Sequence, residues 1–376
     1  MTEKLQHLLS QKLKLREESA LLRQLSITKG LVDFCSNDYL GLSNNDELKQ
    51  VVQAAMRKGE DFKLGSGGSR LLAGNSTLAE ELEYFLAQTH QADTCLLFNS
   101  GYSANLSLFS SIPQKGDTII YDELSHACIK DGARLSFANR LSFKHNDLDD
   151  LKKKLQKASG TVFIAVESVY SMDGDQAPLQ EIVVLAQEHQ ANVIVDEAHS
   201  TGLWGEKGAG LCVALGIQQH IFARIHTFGK GIGVHGACIA CTEVVKQYLI
   251  NFARPFIFTT SLPDHNLITI KQAYQYIAEN PSHWKILKQK ITLFKKNIGT
   301  NTIESNSPIQ AILFPGNENA KKTALKIRQK GFDVRPILSP TVKKGGERIR
   351  ICLHAFNTDE HIIKLTQLIN DSMLNN

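Results

Sequence analysis

The apolar positions of the chain follow two periods, and the switch between them predicts the architecture. Leu5, Leu8, Leu9 and Leu13 recur at helical spacing, and Leu15, Leu21, Leu22 and Leu25 carry the pattern on. This spacing predicts an N-terminal amphipathic helix, docked on its own body or on a second subunit rather than in a membrane. From about residue 46, short apolar runs alternate with helix-like stretches. The predicted strands are TCLLF (94–98), DTIIYD (117–122), RLSFKH (140–145), TVFIAVES (161–168), NVIVDEA (192–198), RIHTF (224–228) and ACIACT (237–242). Helical stretches between them include 76–89, 103–111, 148–158 and 179–190. The strands are continuous apolar runs, as in a sheet covered on both faces. Their alternation with helices predicts an α/β fold with a mostly parallel sheet flanked by helices.

After about residue 265 the pattern changes. A long helical stretch resumes after Pro281, followed by QAILFPG, a helix near 320–330, FDVRPI, RIRICLH and a last helix from Asp359. The chain is therefore expected to divide into an N-terminal helix and loop segment (1–45), a large α/β domain (46–265) and a small C-terminal α+β domain (266–376). No internal repeat or low-complexity tract interrupts it.

Composition narrows the function classes. The 376 residues are 42% hydrophobic and 21% charged, enough to bury a core and unlike a disordered chain. Lys plus Arg number 42 against 38 Asp plus Glu, a net charge of +4 with no basic stripe, which argues against a nucleic-acid protein. No apolar stretch approaches 18 residues, and the start MTEKLQHLLSQKLKLREE lacks the apolar core of a secretory signal, so neither a membrane nor an export role is expected. The seven cysteines are odd in number and sit mostly in apolar surroundings. Cys238 and Cys241 form a lone CxxC with no further ligands nearby, so no metal site is expected. Reduced thiols and a cytoplasmic setting are the expected reading.

Ligands of an open α/β sheet bind at the carboxyl ends of its strands. There the sequence offers Ser100-Gly101-Tyr102, His126, Ser171, Asp196 with His199, and Thr227 with Lys230. Asp196 ends an apolar strand, either as a helix cap or as an anion that keeps a metal or ring nitrogen charged. Its D-E-A-H context would suit a helicase, but no Walker A motif accompanies it. Gly231, Gly233 and Gly236 spell G-x-G-x-x-G, yet a strand follows rather than a helix, which argues against a dinucleotide site. Gly65, Gly67 and Gly68, with Ser66, Ser69 and Arg70, offer either a plain turn or a loop that nears a ligand. Lys230, between glycines, reads as a surface turn, a phosphate contact or a Schiff-base lysine. A lysine, a carboxylate for a pyridinium nitrogen, a flat His126 ring and a helix start for a phosphate are together the parts of a pyridoxal 5′-phosphate site.

With these parts in view, the chain resembles the α-oxoamine synthases, fold-type-I pyridoxal-phosphate enzymes that join an amino acid to an acyl thioester with loss of CO2. The matching segments are SNDYLGL (36–42), GSGGSR (65–70), SGYSAN (100–105), ELSHA (123–127), ESVYSMDGDQAPL (167–179), DEAHSTG (196–202), TFGKGIG (227–233) and ARPFIFTTSLP (253–263). The resemblance implies that Lys230 bonds the cofactor, Asp196 holds the ring nitrogen and His199 the ring oxygen, and His126 stacks on the ring. It implies that Ser171 and Thr227 surround ring and phosphate, with Gly101 and Tyr102 at the phosphate, where Phe is more usual than Tyr. On the substrate side it implies Asn37, Thr341 and the carboxylate-gripping Arg350, with Arg23 the nearest counterpart of an acyl-binding arginine. Members are homodimers with sites at the interface, so Thr259 and Thr260 would reach the partner's cofactor phosphate. Two segments, ARPFIFTTSLP and SMDGDQAPL, favour L-alanine and a pimeloyl thioester, on CoA or acyl carrier protein, over the sister substrates. The chain departs from the family at Leu338 and Lys343, where arginine and proline are usual.

Overall fold

In the computed structural model, which describes residues 2–19, 21–25, 27–57 and 63–374, the chain opens with α1 (Glu3–Glu18). The leucine pattern runs on to Leu25, but the helix stops at Glu18. The Ser19 N–H closes onto the Leu15 carbonyl at 3.1 Å, and Glu17 and Glu18 oppose the negative end of the helix dipole. No residue of α1 is buried, and Leu13 and Leu15 stay 58% and 61% exposed, so the docking expected of this helix is not met within one chain.

After β1 (Val32–Asp33) come α2 (Asp46–Arg57) and α3 (Thr77–His90). The strands β2 (Thr94–Phe98), β3 (Thr118–Asp122), β4 (Asn139–Phe143), β5 (Val162–Glu167), β6 (Asn192–Asp196), β7 (Ala223–Thr227) and β8 (Ala237–Cys241) then form one sheet in the order β2-β8-β7-β6-β5-β3-β4. Only β8 runs antiparallel to its neighbours β2 and β7; the other pairings are parallel. The helices between these strands include α4 (Gly101–Ser111), α5 (Ala127–Leu135), α6 (Leu148–Leu155) and α7 (Leu179–Glu188). Ser76, Ser100 and Asp147 cap α3, α4 and α6 through side-chain oxygens that accept backbone N–H bonds, which fixes where each helix begins.

Both sheet faces are covered. Ile119, Phe163, Ala165 and Ile194 pack into one apolar cluster, while their chain neighbours Ile120, Ile164, Val166, Val193 and Val195 pack into another. This two-residue alternation, apolar on both sides, explains why the strands read as unbroken runs. The C-terminal part holds β9 (Ile309–Leu313), β10 (Phe332–Asp333), β11 (Arg335–Ile337) and β12 (Arg348–Cys352), with β9, β11 and β12 in an antiparallel sheet of order β11-β12-β9. β1 pairs in parallel with β10, so a strand from the first 45 residues is built into the C-terminal part.

Beneath β7, the His226 ring stacks on His90 with centroids 3.6 Å apart. His90 lies within 2.9 Å of the Ala209 carbonyl and 3.0 Å of the Tyr274 hydroxyl, and His226 bonds Thr201. Burial lowers both pKa values, that of His90 to about 3 from an ordinary 6.5. Both rings are neutral when folded and take up protons on unfolding. Their contribution to stability is full above pH 6.5 and is lost as pH falls from there toward about 3, each contributing up to about 1.4 kcal/mol per pH unit. Replacing His90→Gln should flatten the acid slope of the unfolding free energy by about one such increment, measured by denaturant titration over a pH series.

Candidate active site

The carboxyl ends of β2, β5, β6 and β7 converge on a cavity of about 290 Å³. Its walls carry Asn37, Gly101, Tyr102, His126, Asp196, Thr227 and Lys230 of the residues singled out in the sequence. Asp196, buried at the end of β6, accepts hydrogen bonds from Asn105 Nδ2 at 2.7 Å and from the Ala198 N–H at 2.9 Å. No ion-pairing cation touches it among the described residues, which leaves a buried anion facing the cavity. Asn105 also donates to the Gly101 carbonyl at 3.0 Å, and its own Oδ1 lacks a partner.

Glu167 sits beside Asp196 in the register of β5 and β6 and accepts the His126 N–H at 2.7 Å. Burial, and then the neighbouring Asp196 charge, raise the Glu167 pKa. This is the usual outcome for adjacent carboxylates in a dry site, one of which keeps its proton. Burial lowers the Lys230 pKa against the opposing pull of Asp196 and Glu167, which favours the neutral, nucleophilic amine.

Lys230 Nζ is 2.8 Å from His199 Nε2, and His199 Nδ1 is 2.7 Å from the Tyr39 hydroxyl. Tyr39 donates to Asn37 Oδ1 at 3.0 Å, which also accepts from Arg350 Nη2 at 2.9 Å. The direction of this chain is fixed at both ends. A guanidinium has no acceptor, so Asn37 presents its oxygen to both donors. Burial, then the Lys230 and Arg350 charges, hold His199 neutral. It therefore donates from Nδ1 to Tyr39 and accepts from Lys230 at Nε2.

His126 caps α5. Its Nδ1 accepts the Cys128 N–H at 3.2 Å and lies 2.9 Å from the Cys128 sulfur, so the ring proton sits on Nε2. Burial lowers its pKa, which favours the neutral ring at the cavity wall. The first amides of α4, at Gly101 and Tyr102, lack intrahelical acceptors, as at any helix start, and are available to an anion.

Other expected residues lie outside the cavity walls. Ser171 meets the network through its carbonyl, which accepts from Arg350 Nε at 2.6 Å. Thr259 and Thr260 line a second, narrower hollow that shares Asn99 with the cavity; Asn99 Nδ2 donates to the Thr260 carbonyl at 2.8 Å. Thr341 and Arg23 are exposed, and one chain brings neither to the cavity. Arg70 of the glycine-rich loop is committed to buried Glu83 at 2.7 Å. Asn105, Glu167, Tyr39 and Cys128 carry the geometry without having been singled out; the signal available was that Tyr39 and Asn105 stand in SNDYLGL and SGYSAN.

The family model for aminotransferase class I and II matches residues 29–369. The chain belongs to the aminotransferase class I and II family. It is 40% identical to the 8-amino-7-oxononanoate synthase of Emericella nidulans, over 96% of this chain and 94% of that one. The solved 8-amino-7-oxononanoate synthase of Francisella tularensis superposes with a TM-score of 0.78 at 28% identity, covering 92% of this chain and 98% of that one. A serine palmitoyltransferase variant from S. paucimobilis, solved with PLP bound, gives 0.87 at 26% identity, covering 98% and 97%.

The residues fit pyridoxal phosphate on three counts: the buried Asp196 carboxylate with no ion-pairing cation among the described residues, the Lys230 amine beside His199, and the close seating of the helix start. At Gly101 an added Cβ would lie 2.2 Å from Thr227 Cγ2. Replacing Gly101→Ala should therefore destabilise the protein by about 1–3 kcal/mol. Adding Thr227→Ser, which removes the colliding methyl and keeps the hydroxyl, should restore most of the loss in denaturant titrations.

Proposed function

We propose that this protein is a pyridoxal-phosphate-dependent acyltransferase that condenses L-alanine with a pimeloyl thioester, releasing CO2 and the free thiol carrier and forming 8-amino-7-oxononanoate for biotin synthesis. The observation that carries the reading is Asp196, a buried and cation-free carboxylate sharing one cavity with Lys230. The choice among sister activities rests on the 40% identity to an 8-amino-7-oxononanoate synthase.

When bound, pyridoxal phosphate supplies an electron-accepting ring that stabilises negative charge at the amino-acid α-carbon. Asp196, oriented by Asn105 and the Ala198 N–H, keeps the proton on the ring nitrogen. The amides of Gly101 and Tyr102, with the Thr227 hydroxyl, would hold the phosphate, and His126 would pack on the ring. Lys230 Nζ would hold the cofactor and, as a neutral amine favoured by its burial, would serve as general base for the substrate α-proton. His199 serves the ring oxygen and passes Lys230's orientation to Tyr39. Arg350, already aimed by Asn37 and the Ser171 carbonyl, grips the substrate carboxylate. His126 Nε2–H is the donor on hand for the thioester carbonyl. In a homodimer, Thr259 and Thr260 would serve the partner's phosphate site and α1 would gain the apolar cover it lacks in one chain.

The shape likeness to serine palmitoyltransferase favours a second reading, a long-chain acyl donor; glycine C-acetyltransferase and 5-aminolevulinate synthase activities complete the set to be tested. Purified, cofactor-loaded protein should yield amino-ketone product, followed by mass, from L-alanine with a pimeloyl thioester. Product only from glycine or serine, or only from acetyl, succinyl or palmitoyl donors, overturns the substrate assignment. Lys230→Ala should lose the visible absorbance of the cofactor–lysine bond and about three orders of magnitude or more of turnover. Asn105→Ala should cost about tenfold in turnover, because Asp196 keeps only one of its two hydrogen bonds.

A further inference from the structure

The turn 169–176 joins the large sheet to the C-terminal part. It is closed on itself by the Tyr170 N–H on the Asp175 carbonyl at 2.9 Å and the Gly174 N–H on the Tyr170 carbonyl at 2.8 Å. One flank meets the C-terminal part. Arg350 donates to the Ser171 carbonyl, Arg348 pairs with Asp173, and Ser305 donates to the Gly174 carbonyl at 2.8 Å. Gly174 has φ +77°, and a Cβ there would lie 2.2 Å from the Ile309 carbonyl oxygen, so the fit is tight.

The other flank is held by two residues that the reaction does not use. His145 Nε2 lies 2.7 Å from Asp175 Oδ2, and its Nδ1 lies 3.0 and 3.1 Å from the two oxygens of Asp122. Asn146 donates to Asp175 at 2.8 Å and to the Gln176 carbonyl at 3.2 Å, and its N–H donates to Asp122 at 3.0 Å. Both ring nitrogens thus face carboxylates. A neutral imidazole would point a lone pair at one of them, so the geometry calls for the doubly protonated ring.

We propose that His145 is a positioning residue: as an imidazolium strapped between Asp122 and Asp175, it holds the 169–176 turn so that the Ser171 carbonyl sets Arg350 for the amino-acid carboxylate. This rests on the reading of Arg350 given above. The groups facing His145 are Asp122 from the end of β3, Asp175 and the edge-on Tyr170 ring from the turn, and Asn146 beside it; Asp173, farther along the turn, is committed to Arg348. Burial disfavours the charged ring, but the hydrogen bonds and charges of Asp122 and Asp175 outweigh it and raise the pKa to about 9. The strap is therefore closed below that pH and opens above it, so amino-acid binding weakens as pH rises through about 9.

The test is calorimetric binding of L-alanine to the cofactor-loaded protein from neutral to strongly alkaline pH, for the unaltered chain, His145→Gln, Asp175→Asn and Arg350→Gln. His145→Gln should bind L-alanine about tenfold more weakly at neutral pH, with kcat at saturating L-alanine within about threefold of the unaltered enzyme. Hydrogen exchange across 169–176 should speed up, and the difference between the two pH profiles should vanish above pH 9–10, where the unaltered strap has also opened. Asp175→Asn, which leaves the His145–Asp122 bond, should weaken binding in the same direction and covers the case in which His145→Gln fails to fold. If Arg350→Gln binds L-alanine normally, the reading of Arg350 is wrong. If Arg350→Gln loses binding while the strap variants keep normal affinity and normal exchange, the positioning role of His145 is overturned.

Discussion

The structure depends on keeping one carboxylate charged in a place where charge is costly. Asp196 follows three buried apolar residues, Val193, Ile194 and Val195, and ends a strand that lies between strands covered on both faces. A buried anion of this kind must be compensated, and among the described residues no cation forms an ion pair with it. Asn105 and the Ala198 amide compensate it in part, and burial beside Asp196 raises the Glu167 pKa, which disfavours a second charge. Asn105 belongs to the helix whose first turn offers amides to an anion. The group that steadies the carboxylate therefore also ties down the helix start, through its bond to the Gly101 carbonyl. The Asp196 carboxylate and the start of α4 are thus tied together by one helix rather than held by two independent loops.

A second network runs the other way, from Lys230 through His199, Tyr39 and Asn37 to Arg350. Its members come from four distant parts of the chain, with sequence separations of 31, 160, 2 and 313 residues along its successive links. Because Arg350 can only donate and His199 is held neutral, every proton in the chain has one position. The lysine and the arginine are oriented with respect to each other by this chain's own side chains, a form of preorganisation.

Much of this was legible in the sequence. Apolar runs ending in polar residues place His126, Asp196, Thr227 and Lys230 at one rim, because a strand buried on both faces can admit polarity only where it ends. What was not legible acts through partners far away in the chain. Asn105 looks like an ordinary polar residue inside a helix until Asp196, 91 residues later, is seen beside it. Tyr39 reads as an aromatic of a loop, and only the fold brings it to His199. The leucines beyond Glu18 continue the helical period, yet capping and charge end the helix first. Arg348 and Arg350, two apart in a strand, were predictable as same-face neighbours, and both meet the turn 169–176.

The division between a rigid cofactor end and a jointed substrate end explains the pattern of likenesses. A serine palmitoyltransferase matches the shape at a TM-score of 0.87, whereas greater identity, 40%, is to an 8-amino-7-oxononanoate synthase. The cofactor residues sit at strand ends and helix starts, which any member of the fold must keep in register. Arg350 sits where the C-terminal sheet meets the large one, and the departures from the family pattern, Leu338 and Lys343, fall in the same C-terminal part. Leu338 packs partly buried against the core, while Lys343 reaches across to Glu123 at 3.0 Å, on the segment that leads into His126. Neither residue takes part in the hydrogen bonds that hold Asp196, Asn105 and the start of α4. Overall shape therefore groups this chain with enzymes of different names, and what separates them has to be read from side chains rather than from the fold.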